Sequence, residues 1–153
     1  MSAVESKLKA KGLSLPTMRA PVGNYVPYTR SGNILFLAGQ VAAQDGKIAT
    51  PGTVGKDVTI EQANAAARVA ALNALAVIKS AIGDLDNVVR ILRAVVYVSS
   101  TPDFTQQPLV ANGASDLLVE IFGDAGRHAR SAIGLSSLPL GSPVEIELTV
   151  EVR

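Results

Sequence analysis

The most regular pattern of the chain lies at its C-terminal end. Val144, Ile146, Leu148, Val150 and Val152 alternate there with Glu145, Glu147, Thr149 and Glu151. A period of two predicts a strand over Val144–Val152 with one face buried and one face polar. Arg130–Leu135 reads as a shorter strand before it. Val88–Ser100 has a different character. One parity holds Val88, Arg90, Leu92, Ala94, Val96 and Val98, and the other Val89, Ile91, Arg93, Val95 and Tyr97. Apart from the two arginines near its start, both faces are apolar, which predicts a strand covered on both sides. Asn24–Thr29 and Asn33–Gln40 read as two further strands around the turn pair Ser31-Gly32.

Helical spacing is clearest in the middle. Ile60, Ala63, Ala67, Ala70, Ala74, Val77 and Ala81 recur at that period and predict a long helix over 60–82. Thr59 and Gln62 form a capping-box pattern at its start, and Gly83 stands where a helix commonly stops. A second helix is predicted over about 108–122, ended by Gly123. A short one covers 3–11 before Gly12, followed by an extended, Pro-containing lead-in from Leu13 to Pro27. Gln44–Gly55 reads as loop. The order of the main elements is β-β-α-β-α-β-β. Two substantial helices can cover only one face of such a sheet. Something must cover the other face of the strand at 88–100. Another copy of the chain is the first candidate, and the N-terminal helix could cover part of it.

Composition narrows the class. The chain has 153 residues, the size of one domain, with 48% hydrophobic and 18% charged residues, which is a globular balance. Fourteen Lys and Arg against thirteen Asp and Glu leave a net charge of +1. That balance gives no electrostatic reason to expect nucleic acid or an anionic membrane as a partner. With no Cys, disulfides, thiolate nucleophiles and zinc-finger sites are excluded. A single His leaves little material for a Ser-His-Asp triad or a His-rich metal site. Gly46, Gly52 and Gly55 lack the strand-to-helix setting and Lys of a phosphate loop. No apolar h-region follows Lys7, Lys9 and Lys11, and the apolar stretches are broken by charge before the ~18 residues of a membrane span. The expectation is a soluble cytoplasmic protein.

Candidate chemistry sits on the last two strands. Strand parity puts Ile133 and Leu135 on one side, and Arg130, Ala132 and Gly134 on the other. If Val144, Ile146 and Leu148 face the helices, Glu145 and Glu147 face away. On this reading Arg130 and Glu145 project from the same sheet face, the one expected to meet a neighbouring copy. A guanidinium beside small residues offers a two-pronged site for a small carboxylate. A partly buried Glu nearby can hold a water and accept its proton. The same spacing also fits an ordinary structural ion pair between neighbouring strands. His128 reads as a loop or capping residue, and Tyr25 and Tyr97 as packing groups. Glu147 and Glu151 read as a solvated rim.

Several short motifs then line up in order. Pro27-Tyr28, Gly32-Asn33, Leu35-Phe36-Leu37-Ala38-Gly39-Gln40, Asp103-Phe104, Arg130-Ser131-Ala132-Ile133, Leu138-Pro139 and Val144-Glu145-Ile146 resemble the pattern of the Rid family, the YjgF-like reactive intermediate deaminases. The resemblance spans about residues 22–153. It implies an α+β, chorismate-mutase-like fold with a mixed sheet and two main helices on one face, forming a homotrimer with clefts between subunits. It divides the chain into an N-terminal extension, 1–20, and a single domain, 21–153. It further implies hydrolysis of small enamines or imines, of the 2-aminoacrylate and 2-imino acid type, to a keto acid and ammonia, with no cofactor and no metal. Arg130 takes the place of the family's carboxylate-binding arginine, and Glu145 that of the glutamate that places or activates water. Tyr28 takes the place of a tyrosine lining the cleft. Gly39 and Ala132 match positions whose backbone contacts the ligand. Ala132 stands where many members have Cys, which excludes thiol contacts. An asparagine expected on the ligand side of the second helix corresponds to Asn112, or its place is taken by Ser115. Two other functions fit the same residues less fully. One is a non-catalytic module that binds a small carboxylate in the same cleft. The other is a ribonuclease, against which the near-neutral charge, the single His and the six aromatic residues argue.

Overall fold

The computed structural model describes residues 1–153. Its helices are α1 (Ala3–Ala10), α2 (Ile60–Ile82) and α3 (Gln107–Phe122). Its strands are β1 (Tyr28–Ser31), β2 (Ile34–Leu37), β3 (Gln40–Val41), β4 (Ala43–Gln44), β5 (Lys47–Ile48), β6 (Val88–Ser99), β7 (Ala129–Leu135) and β8 (Val144–Val152). The main sheet runs β1-β2-β8-β6-β7, with β3 also paired to β8. Only β6 and β7 run parallel, because α3 carries the chain back between them. The sheet is therefore mixed, and β7 forms one edge.

The segment 44–55 is less irregular than the sequence suggested. Asp45 and Gly46 both take positive φ, 50° and 79°, and close a hairpin between β4 and β5. Asp-Gly is the pair such a tight turn selects.

Both long helices pack on one face of the sheet, as the pattern required. Thr59 caps α2: its hydroxyl accepts from the Gln62 amide at 3.1 Å, and the Gln62 side chain accepts from the Thr59 amide at 3.0 Å. Ala63, Ala67, Ala70 and Ala74 are fully buried, and their small side chains bring the helix axis close to its neighbours. A Cβ on Gly113 would stand 2.8 Å from the carbonyl carbon of Asn64, so this glycine lets α3 cross α2 at contact distance. The Asn64 amide then donates to the Leu109 carbonyl at 2.9 Å and ties the helices together. With 23 residues and a mean hydropathy of 1.5, α2 is long and apolar enough to cross a membrane, which corrects the expectation from sequence. Here that stretch is 56% buried inside the fold, as a core helix would be.

Two expectations about coverage change. First, β6 does not keep one parity. The pairing with β8 slips between Ile91 and Arg93, so Ile91 faces the core opposite Val150 while Ala94 faces it opposite Leu148. A bulge adds one residue to the strand and exchanges its faces. Beyond it the open face carries Arg93, Val95 and Tyr97. Second, α1 does not cover that face. It buries Val4 and Leu8 in the same core as α2 and α3, and Lys7 donates to the last-turn carbonyl of Ile121 at 3.2 Å. Its start is held by two devices. Ser2 and Glu5 form a capping box, and the Asp86 carboxylate accepts from the amides of Ala3 and Val4 at 2.8 and 3.0 Å. The open sheet face exposes Phe36, Ile133 and Leu135 among the glutamates of β8.

Candidate active site

The residues singled out from sequence fall into two clusters, on opposite faces of the sheet. The first surrounds Arg130 on the edge strand β7. Arg130 lies beside Ala94, Ala132 beside Val96 and Gly134 beside Val98. Those three partners face the helices, so Arg130 does too. Glu145 lies beside Tyr97, on the open face. The expectation that Arg130 and Glu145 project from one face is overturned. The physical reason is the small size of Ala132 and Gly134, which admits α3 against this side of β7. The larger Ile133 and Leu135 are left on the open face, 41% and 36% exposed. The ion-pair alternative fails with it. The ion pairs of the chain join Lys11 and Arg68 to Glu120, Lys79 to Glu5 and Arg127 to Asp124.

Arg130 is instead anchored to α3. Its Nη1 donates to Asn112 Oδ1 at 2.8 Å and to Ser115 Oγ at 3.1 Å. Asn112 and Ser115 are three residues apart, so one helix face presents both. The sequence left open which of them faces the arginine; both do. Every hydrogen bond of the guanidinium within the chain is made by Nη1, so the edge formed by Nε and Nη2 stays free. Two parallel N–H groups on that edge match the two oxygens of a carboxylate.

His128 joins the cluster. Its Nδ1 lies 2.7 Å from the Gly126 carbonyl oxygen and its Nε2 lies 2.9 Å from Ser115 Oγ. A carbonyl can only accept, so Nδ1 carries the proton. In the neutral ring Nε2 then accepts, and Ser115 donates to it. The ring is kept neutral by its burial, with the Arg130 charge adding to the effect and the bond to Gly126 opposing it, so its pKa lies below the usual histidine value. The sequence carried a signal for this. His128 and Arg130 are two apart at the start of a strand and share a side.

The second cluster is on the open face. Glu145 is half-buried, and its carboxyl is pushed up by that burial first and then by the neighbouring Glu147 charge. Gly39 makes room for it: a Cβ there would overlap Oε1 of Glu145 and stand 3.0 Å from its Cδ. Tyr97 donates its hydroxyl to Glu147 Oε1 at 2.5 Å. That bond, burial and the two glutamate charges push the phenol up to about 12. Tyr97 and Glu147 are thus partners, not mere packing and rim. Tyr28 opens β1 opposite Leu37 and packs, half-buried, against the core. Ala132 does the same under α3. Neither Tyr28 nor Gly39 is brought to Arg130 of its own chain by the pairing of the strands. A cavity of about 760 Å³ lies between the 16–27 lead-in and α2; Gly39 lines it, but neither Arg130 nor Glu145 does. No group of three or more His, Cys, Asp or Glu residues is gathered as metal ligands would be.

Residues 5–152 match the family described as "YjgF/chorismate mutase-like, putative endoribonuclease". Protein TCP17 of Trypanosoma cruzi is 43% identical over 151 residues, covering 98% of this chain and 94% of that protein. The crystal structure of Atu1372 from Agrobacterium tumefaciens, a protein of unknown function, is 44% identical with a TM-score of 0.91, over 98% of this chain and 92% of that one. A structure from Shewanella oneidensis, titled a putative endoribonuclease, is 39% identical with a TM-score of 0.95, over 99% and 100% of the two chains.

Proposed function

The chain belongs to the YjgF/chorismate mutase-like family, and from that premise we propose that it is a cofactor-independent hydrolase of small imines and enamines bearing a carboxylate. The observation that carries this reading is the Arg130 guanidinium, fixed through Nη1 and open along its Nε–Nη2 edge. The substrate carboxylate docks on that edge as a bidentate pair. The imine carbon is already electrophilic, so positioning and a proton acceptor for water suffice. Glu145 takes a proton as water adds to the carbon. It returns that proton to the nitrogen as the C–N bond of the carbinolamine breaks, and the hydroxyl proton passes to the departing nitrogen or to solvent, leaving a keto acid and ammonia. A carboxyl raised by burial, as here, is suited to both steps.

Because the two groups lie on opposite faces of one sheet, Glu145 must come from another copy. The sheet edge of one copy, with Arg130, meets the open face of the next, with Glu145 and Gly39. Such a contact joins two unlike surfaces, and three copies close it into a ring. Phe36, Ile133 and Leu135 on the open face supply apolar area for it. Tyr28 of a neighbouring copy completes the cleft wall.

The test is release of ammonia or keto acid from imino acids generated in situ by an amino-acid oxidase. The protein should accelerate release, and Arg130→Ala should return it to the buffer rate. No acceleration with any small imino acid overturns the proposal. A second reading, a carboxylate-binding module without turnover, is favoured by one feature: the Arg130 edge is complete in each chain, whereas Glu145 is not beside it. Pyruvate that stabilises the fold while turnover stays at background would select that reading. RNA cleavage, named in the description of the family, has little to work with here. The net charge is +1, and both nitrogens of the only histidine are committed to Gly126 and Ser115.

A further inference from the structure

We infer that His128 is a positioning residue for the carboxylate-binding arginine: it acts through Ser115, holding the Arg130 guanidinium turned so that its Nε–Nη2 edge faces outward. The inference rests on the reading of Arg130 given above, and it concerns a residue that never touches the substrate.

Donors and acceptors alternate along a single path from Gly126 to Arg130. The Gly126 carbonyl fixes the ring proton on Nδ1, which leaves Nε2 as a lone pair aimed at Ser115. Ser115 must therefore point its hydroxyl hydrogen at His128, and its oxygen lone pairs are left for Arg130 Nη1. Asn112 Oδ1 supplies the second acceptor on the same nitrogen. Without His128 the Ser115 hydroxyl is free to rotate and to bond a backbone carbonyl of its own helix. One of the two anchors of Nη1 is then lost, and the long arginine side chain regains rotamers that do not present the free edge. The 310 turn at Gly123–Gly126 has a role in this scheme. It delivers the carbonyl that selects the tautomer, and a Cβ on Gly126 would press into the backbone of Leu118 and Val119.

Protonation of His128 has the same effect by another route. An imidazolium has no lone pair to offer, so Ser115 would receive donors from both sides, and two cations would share one oxygen. Arg130 is the charged group that bears on the ring. Asp116 on α3 is exposed, and Asp124 in the preceding turn is exposed and paired with Arg127. No carboxylate forms an ion pair with the ring, so none offsets the Arg130 charge when the imidazolium forms. Carboxylate binding should weaken as pH falls below the ordinary histidine range, where this ring takes up its proton.

The test compares wild type, His128→Leu, His128→Gln and Arg130→Ala, with folding checked by circular dichroism. Leu removes the acceptor; Gln offers a carbonyl oxygen near the place of Nε2 and cannot ionise. Pyruvate affinity by calorimetry should fall about tenfold in His128→Leu, the worth of one positioning hydrogen bond. It should stay near wild type in His128→Gln. Wild-type affinity should drop on acidification, and His128→Gln should not share that drop. Equal affinity in wild type and His128→Leu, or an unchanged acid limb in His128→Gln, overturns the inference. A second measurement separates it from the reading on which it rests. Nitrogen-15 spectra of wild type should show the Nδ1–H tautomer of His128, and ordered Arg130 Nη signals that broaden in His128→Leu. Those spectra are independent of any substrate. The other tautomer, or Arg130 signals indifferent to His128→Leu, overturns the positioning role. Absence of pyruvate binding in wild type, with the spectra as expected, overturns the carboxylate reading alone.

Discussion

Mixing two inactive variants tests the opposite-face geometry in a way no single variant can. Arg130→Ala leaves every copy with its Glu145 intact, and Glu145→Gln leaves every copy with its Arg130. Either variant alone forms no complete site. In the sheet, Arg130 is aligned with Ala94 on the helix side and Glu145 with Tyr97 on the open side; on the proposed reading a complete site takes its arginine from one copy and its glutamate from the next. In rings assembled at random from equal amounts of the two variants, each contact has an even chance of the right copy on each side. About one quarter of the sites are then complete, and about one quarter of wild-type activity should return. Wild type mixed equally with the double variant gives a second number. Sites between copies predict about one quarter of the wild-type rate, whereas sites within one chain predict about one half. Co-expression with two affinity tags supplies the mixed assemblies, native mass spectrometry counts the copies, and imino-acid hydrolysis reads the sites. Mixed rings with no recovered activity, or one half in the second mixture, would refute the reasoning.

Other outcomes follow from single side chains. Gly39→Ala meets the flexible end of Glu145 rather than backbone, so melting temperature should move by only about 1–3 °C while turnover falls about tenfold or more, a contrast that thermal scanning and rate assays together would show. Glu145 holds its proton in the folded chain at pH values where the unfolded chain has lost it. The folded state binds more protons in that window, so the contribution to stability is full below the ordinary carboxylate range and is lost as pH rises through the raised value. Glu145→Gln should therefore melt higher than wild type at neutral pH and alike near pH 3; urea melts at both pH values check the sign. Tyr97→Phe removes the hydrogen bond to Glu147 and should cost about 1 kcal/mol in urea unfolding. An absorbance titration should also lose a phenol that ionises at about 12.

Much of the fold was legible because alternation and helical spacing report burial directly. The α2 start and stop were written in Thr59, Gln62 and Gly83, and β8 in its strict alternation. What periodicity could not report was a change of face within a strand. The bulge near Leu92 leaves no mark in hydrophobicity, because Val, Ile and Leu occupy both parities of β6. The site suffered from a related ambiguity. On β7 the apolar Ile133 and Leu135 suggested a buried face, yet that face is the exposed one. Ala132 and Gly134 mark the side turned to α3, and small residues signal close approach less loudly than large apolar ones signal burial. Asn112 and Ser115 were both within reach of the sequence. That they meet Arg130, and that His128 stands behind them, depended on the crossing of α3 over β7.

The two carboxylate oxygens that hold the amides of Ala3 and Val4 belong to a residue more than eighty positions downstream. A helix of eight residues is too short to persist in water unaided. As the chain leaves the ribosome, its opening segment therefore stays unstructured until Asp86 and the turn around it have emerged. The stretch that holds Ile121, which receives Lys7, comes later still. Residues 3–10 are thus finished only after partners made later than they are, and a ribosome stalled before residue 86 should leave that segment open to proteases.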